Sequence, residues 1–169
     1  MFVKTLTFVA AMLVAGAAYA NDPAPVSQDD AGKWLDANGD PTYKKEADGT
    51  VDYYTWMGYK RYTANCMACH GPDGMGSSFA PPLAKSLQKF DYSTFAGIVA
   101  SGQQNKWNTA GNSVMPAWGT DLNVMCYMDY IYVYLRARAD GAIDRGEPKK
   151  PPLNKTAKEA AYSCLGFTN

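Results

Sequence analysis

The chain has 169 residues, with 16 basic and 16 acidic side chains and a formal net charge of zero at pH 7. This length fits one domain with additions at its ends, not two full domains. The balanced charge excludes the basic excess that is typical of nucleic-acid binders. After residue 20, no stretch has enough consecutive apolar residues to cross a bilayer.

The first twenty residues have the pattern of a secretory signal peptide. Lys4 supplies a positive charge, and residues 5–16 form an apolar run that is too short to span a bilayer. Ala18-Tyr19-Ala20 places small residues where a signal peptidase reads them, which predicts cleavage before Asn21 and export to the periplasm. A membrane anchor is the alternative, and the short apolar run argues against it. The exported chain would keep 15 basic and 16 acidic residues.

Residues 21–50 are polar and rich in turn signals. Asn38-Gly39-Asp40-Pro41 and Asp48-Gly49 are strong turn sequences, and the stretch between them is compatible with a short hairpin. We interpret this segment as an N-terminal extension that lies over the domain formed by residues 51–142.

The first strong helix is predicted at about residues 52–64, directly before a cysteine motif. The glycine- and proline-rich residues 71–76 then predict a loop, which continues in extended conformation over residues 80–83. Two short helices follow, near residues 84–90 and 93–101, and the second should stop at Gly102.

A long loop, residues 102–120, carries Met115-Pro116. Thr120 or Asp121 can cap a last domain helix over residues 122–139. Beyond it, residues 143–169 form a tail rich in proline and lysine, with a further short helix around residues 157–162.

The sequence Cys66-Met67-Ala68-Cys69-His70 is the attachment signature of c-type haem. The two thiols can add to the haem vinyl groups, and His70 is then held over the iron as the proximal ligand. Three alternatives are a zinc site with Cys126 as a further ligand, a thioredoxin-like redox pair, and a chance match. The export signal, the preceding helix and the following loop favour one covalent haem c.

His70 is the only histidine in the chain, so ligation of one iron by two histidines of the same chain is excluded. The sixth ligand must then be Met, Lys, Tyr, water or nothing. Met115 lies in a loop that can reach the distal face, although a loop methionine can also simply pack on the core. His/Met ligation fills both axial positions and raises the reduction potential. It therefore predicts electron transfer and not catalysis, whereas an open site would indicate an enzyme or gas sensor.

Some residues around this site have candidate supporting roles. The second ring nitrogen of His70 needs a hydrogen-bond acceptor, and the carbonyl of Pro81 is well placed in the loop. The remaining candidates are equally compatible with packing or solvation: Gln103, Asn105, Trp107 and Trp118 near the propionates or Met115, and Lys85, Lys89 and Lys106 as a surface that steers an acidic partner.

Cys126 and Cys164 remain after the haem motif takes two of the four cysteines. They are either two free thiols or one disulfide, and export favours the disulfide. Such a bridge would join the tail to the last domain helix in a structural role.

With these residues in place, the chain resembles the class I cytochromes c. The resemblance covers residues 51–142 and implies an all-α fold of three to five helices around one haem. It rests on Gly58 and Tyr62, Cys66 to His70, Gly71-Pro72-Asp73-Gly74, Pro81-Pro82-Leu83, Met115-Pro116 and Tyr134-Leu135.

A narrower resemblance is to the four-cysteine cytochromes associated with methanol metabolism, which are relatives of cytochrome cL. It rests on residues 51–54, 113–120, 123–127 and 132–141. It implies an electron donor, a PQQ-dependent methanol or alcohol dehydrogenase, and a downstream cytochrome c or oxidase as acceptor. The residues themselves predict only a carrier, so a general periplasmic carrier for other dehydrogenases is the alternative.

Overall fold

A computed structural model describes residues 24–104 and 114–167. The predicted signal peptide and cleavage site, and Asn105, Lys106 and Trp107, lie outside these residues. The described helices are α1 (Tyr53–Asn65), α2 (Met67–His70), α3 (Leu83–Ser86), α4 (Tyr92–Ser101), α5 (Leu122–Met125), α6 (Met128–Ala139) and α7 (Lys155–Cys164), with a 3₁₀ turn at Pro72–Gly74. The described strands are β1 (Ser27–Gln28), β2 (Trp34–Leu35), β3 (Gln103–Gln104) and β4 (Val114–Met115).

The fold is built on the crossing of α1 and α6. Asp52 caps α1 by accepting a hydrogen bond from the amide of Thr55. Gly58 lies at the crossing, where an added Cβ would come within 1.9 Å of the carbonyl oxygen of Tyr130. Tyr54 and Tyr130 stack beside it with ring centroids 4.0 Å apart. Gly58 therefore allows the two helices to approach closely, and α6 forms the centre of the buried core.

The prediction of one continuous helix over residues 122–139 was wrong at one point. Asp121 caps α5 as predicted, but α5 ends at Met125 and α6 begins at Met128. The amide of Tyr127 bonds to the carbonyl of Val124, a tighter i to i−3 turn, and Tyr127 leaves helical conformation. Val124 on α5 and Met128 on α6 lie on either side of this break, and both line one cleft.

The short helices in the middle of the domain follow the prediction closely. Asp91 caps α4, which ends at Gly102 in positive φ as predicted. The preceding α3 is shorter than predicted, because it stops at Ser86. Of the seven α-helices described, four have ten residues or more and the other three have four each. This is the predicted all-α class I cytochrome c fold, with the strands confined to short pairs.

Both ends of the described chain pack against α6. In the extension, β1 and β2 pair antiparallel, and the ammonium of Lys33 lies 2.6 Å from the carboxylate of Asp129 on α6. In the tail, Tyr130 donates to the carbonyl of Ala157 on α7, a helix longer than predicted. Within the described ranges, no helix is long and apolar enough to cross a membrane.

Candidate functional site

An apolar cleft opens between the helices of the domain. Cys66, His70 and Met115 all lie on its walls. The other lining residues are nearly all apolar and come from α3 to α6 and nearby loops: Leu83, Leu87, Phe90, Phe95, Ile98, Val99, Trp118, Val124, Met128, Ile131 and Leu135.

The cysteine motif follows α1 without an intervening loop. Cys66 caps the C-terminal end of α1, where its amide donates a hydrogen bond to the carbonyl of Tyr62. Cys66 also immediately precedes the first residue of α2. Burial in the apolar cleft raises the pKa of the Cys66 thiol to about 12. The thiol of Cys69 belongs to an exposed residue at the same site. One cysteine thus lines the cleft, and the other is exposed.

The ring of His70 is buried, and its residue is only 6% exposed. Nδ1 lies 3.0 Å from the carbonyl oxygen of Pro81. Because a carbonyl oxygen only accepts, Nδ1 carries the proton and donates, and Nε2 keeps a lone pair free for a metal. This is the hydrogen-bonding pattern that orients a ligating imidazole.

The proximal loop, residues 71–76, is fastened to α1 by one buried hydroxyl. Tyr62 donates to the carbonyl of Gly71 at 2.5 Å and accepts from the amide of Gly74 at 2.9 Å. Burial raises the pKa of Tyr62 to about 12, so the hydroxyl remains protonated and can perform both roles. The ordering of this loop determines where Pro81 meets His70.

Met115 approaches the cleft from a short hairpin on the other side. Its backbone pairs with Gln103 in the β3–β4 ladder. Gly102, with φ +71°, allows this pairing, because an added Cβ would lie 2.6 Å from the carbonyl oxygen of Met115. After Met115, the amide of Trp118 donates to the carbonyl of Val99 on α4. The loop is thus tied to the end of α4 on both sides of Met115.

The remaining predicted residues fall in different places. Trp118 lines the cleft, and Gln103 is exposed on β3. Lys85 and Lys89 are both exposed. Asn105, Lys106 and Trp107 lie outside the described residues, so their roles stay predictions.

Cys126 and Cys164 form a disulfide that joins the end of α5 to α7. The predicted bridge is therefore present in the structure. It also engages Cys126, the residue that a zinc alternative needed as a further ligand. The thioredoxin-like alternative needs a strand before the motif, whereas here α1 precedes it.

Sequence reasoning missed two parts of this site. The apolar wall formed by Phe95, Ile98 and Val99 follows a helical i, i+3, i+4 spacing on α4, which could have identified it. The second is the bond between Asp73 in the proximal loop and Arg145 in the tail. No local pattern signals it, because the two residues lie 72 positions apart.

The fold and this site define a class of protein. An apolar cleft holds a buried histidine with a free Nε2 and a methionine, and a CxxCH motif supplies two thiols for covalent attachment. The donor set and the apolar lining fit haem c, and the class is that of the c-type cytochromes.

Comparison with known proteins gives the same result. Residues 57–134 match the family described as cytochrome c oxidase, cbb3-type, subunit III. Cytochrome c-553I of Paracoccus denitrificans is 53% identical over 119 residues, which cover 70% of this chain and 52% of that protein. Cytochrome c-555 of Methylococcus capsulatus is 32% identical over 102 residues, covering 60% of this chain and 76% of that protein.

One solved structure is also similar, that of the c-type cytochrome XoxG from Methylobacterium extorquens AM1. It matches with a TM-score of 0.76 and 46% identity, covering 83% of this chain and 86% of that chain. The chain belongs to the class I c-type cytochromes of the methanol-related kind, as its motifs predicted. It carries one covalently attached haem c, as proteins of this family do. The chain spans about half the length of cytochrome c-553I.

Proposed function

We propose that the chain is a periplasmic carrier of single electrons, with thioether bonds at Cys66 and Cys69 and axial iron ligands from His70 and Met115. One observation carries this proposal: the chain's only histidine and Met115 line the same apolar cleft as Cys66. When bound, haem c supplies a ferric/ferrous couple, whose potential is raised by a thioether ligand.

In this proposal, the residues of the chain hold and shield the group. Pro81 fixes the ring orientation of His70 through the Nδ1 hydrogen bond. The apolar wall from α3 to α6 excludes water, which stabilises the less charged iron state. With His70 and Met115 both holding the iron, no position would be left for a substrate, and the bound group would supply electron transfer alone.

We further propose that the donor is a PQQ-dependent methanol or alcohol dehydrogenase, and that the acceptor is a downstream cytochrome c or oxidase. The resemblance to the cytochrome cL relatives supports this, as does the similarity to XoxG over most of both chains. Residues 51–142 act as the haem domain, with the extension and the tail as supporting segments.

Stopped-flow mixing tests the donor. The oxidised holoprotein is mixed at micromolar concentration with a PQQ-dependent methanol dehydrogenase and methanol, and the ferrous haem bands are followed. We expect rapid reduction that needs both enzyme and methanol. A panel of unrelated periplasmic dehydrogenases is the control: equal rates with all of them would replace the specific donor with a general carrier.

A second measurement tests the axial ligands. The ferrous holoprotein is exposed to carbon monoxide at neutral pH without denaturant. We expect no binding, because Met115 occupies the sixth position. Rapid binding would overturn this ligand set and favour an open-site enzyme or gas sensor.

A further inference from the structure

The proximal loop is held by residues of the C-terminal tail as well as by α1. The carboxylate of Asp73 accepts a hydrogen bond from Nε of Arg145 at 3.0 Å and another from the amide of Gly146 at 2.9 Å. Its backbone carbonyl accepts a longer bond of 3.4 Å from Nε of Arg138 on α6. The proposed function assigns no role to the carboxylate of Asp73.

Asp73 is the buried partner in this contact. It is only 8% exposed, while the side chain of Arg145 is 66% exposed. Burial acts to raise the pKa of Asp73, but the Gly146 amide and the Arg145 guanidinium outweigh it, so the pKa lies below its ordinary value. Among the described residues, Asp73 is the only non-glycine with positive φ, at 59°. A charged group in this conformation needs external contacts to hold it.

The proximal loop connects the two partners of the His70–Pro81 hydrogen bond. It begins directly after His70, and the amide of Gly76 donates back to the carbonyl of His70 at 2.8 Å. Pro81 follows five residues beyond Gly76. A displacement of this loop therefore changes the distance between Nδ1 and the Pro81 carbonyl.

The tail is also fixed by contacts with other parts of the chain. Glu147 accepts from Nε1 of Trp56 and pairs with Lys60 on α1. Lys149 pairs with Asp48 of the extension at 2.6 Å. The disulfide holds the far end of the tail. Arg145 and Gly146 thus occupy defined positions from which they can hold Asp73.

We propose that Asp73 is a positioning residue for His70, through which the C-terminal tail controls the hydrogen bond from Nδ1 to Pro81. This inference rests on the proposed role of His70 as the proximal ligand. Strengthening of that hydrogen bond makes the imidazole a stronger electron donor to a bound metal, and its weakening raises the reduction potential.

The test measures how fast the Nδ1 proton of His70 exchanges with solvent in the ferrous holoprotein. Because the chain has one histidine, labelling with ¹⁵N-histidine gives a signal from His70 alone. Asp73→Asn removes the charge but keeps an acceptor for Gly146 and tolerates the left-handed backbone. Arg145→Ala breaks the same contact from the tail.

We expect exchange to become about tenfold faster in either variant, as for the loss of one charge-assisted hydrogen bond. The Nδ1 proton should exchange no faster in the double variant than in either single variant, because both substitutions remove the same interaction. Glu46→Ala is the matched control: it removes an exposed ion pair with Lys44 in the extension, outside the tail and the proximal loop, and should leave the rate unchanged.

Wild-type exchange rates in both Asp73→Asn and Arg145→Ala would overturn the positioning role. If Asp73 and Arg145 acted only through their charges, the exchange rate would stay at the wild-type value in both variants. The reduction potential would then shift in opposite directions, because one variant removes a negative charge and the other a positive charge. Spectra of the ferric wild-type protein distinguish a failure of the positioning role of Asp73 from a failure of the proposed ligand role of His70. If His70 resonances there show no paramagnetic shift, His70 is not the ligand and both proposals fail.

Discussion

The two walls of the cleft differ in how far side chains contribute to the hydrogen bonds that hold them. On the proximal wall, the hydroxyl of Tyr62 and the carboxylate of Asp73 bind the main chain, in addition to backbone bonds such as that from Gly76 to His70. Around Met115 on the distal wall, the contacts described above join backbone to backbone, through Gln103 and Trp118. A side-chain bond depends on the residue type, whereas a backbone pair depends on the path of the chain. Substitutions should therefore affect the two walls differently.

Met115→Ala should have the largest effect, because it removes the proposed distal ligand itself. We expect complete loss of the far-red methionine–ferric absorption band and rapid binding of carbon monoxide by the ferrous protein. Met75→Ala is the control, since Met75 is 50% exposed in the proximal loop. If the band survives in Met115→Ala and disappears in Met75→Ala, the assignment of the two walls is reversed.

Tyr62→Phe should be the most destabilising change on the proximal wall. It leaves the buried carbonyl of Gly71 and the amide of Gly74 without their partner. We expect a loss of about 2–4 kcal/mol in the free energy of unfolding, measured with guanidinium chloride on the ferric holoprotein. Tyr59→Phe on the same helix keeps its ring contact with Tyr134 and should cost less. Equal losses would show that the hydroxyl of Tyr62 does not fasten the loop.

Gly102→Ala should disturb the distal wall through the backbone. The added Cβ would lie 2.6 Å from the carbonyl oxygen of Met115, and the alanine would have to adopt a φ of +71°. We expect a loss of about 1–3 kcal/mol in the free energy of unfolding, with a weaker methionine–ferric band. Gly97→Ala is the control, because nothing lies within 4 Å of its Cβ and it sits within α4. It should be neutral or stabilise by up to about 1 kcal/mol. An undiminished band in Gly102→Ala would contradict the backbone mechanism.

Asp73→Asn should have the smallest effect of the four, and one that depends on pH. Since the pKa of Asp73 lies below its ordinary value of 3.8, its carboxylate stabilises the fold above that pH. This stabilisation is lost as the pH falls through the lowered, folded-state pKa. We expect a deficit of about 1–2 kcal/mol in the free energy of unfolding at neutral pH, which shrinks below about pH 4.

Urea unfolding at neutral and acidic pH measures this deficit. Asp48→Asn is the comparison, because its exposed ion pair with Lys149 should contribute less and weaken with salt. A deficit for Asp73→Asn that is the same at both pH values would rule out the charge as its cause.

The sequence predicts the cysteine motif and several helix boundaries well because their signals are local. Cys66 to His70 is a contiguous motif, and Asp52, Asp91 and Gly102 lie at helix boundaries that side-chain and backbone chemistry dictate. The interruption at Cys126 and Tyr127 could not be predicted in this way. Helical periodicity continues through these two residues, so no local pattern marks the break, which lies where the disulfide joins Cys126 to α7.

The contacts of the tail were beyond sequence reasoning for a related physical reason. Proline and lysine patterns show that the tail before α7 is irregular, but they do not show against which part of the fold an irregular segment packs. Arg145 finds Asp73, and Glu147 finds Trp56, across 72 and 91 positions respectively. Such pairings follow from the whole fold. The disulfide was predictable because the other two cysteines belong to the haem motif.

The bond between Cys126 and Cys164 closes a covalent ring that contains α6, the extended stretch before α7, and α7 itself. Leu153 in that stretch is 57% exposed and so is within reach of a protease. A single cut there would open the ring without dividing the molecule, because the bridge still joins the two pieces. The nicked protein would keep the mass of the intact chain plus one water until a reductant separates it into two peptides. Its terminal helix would meanwhile remain attached beside α6.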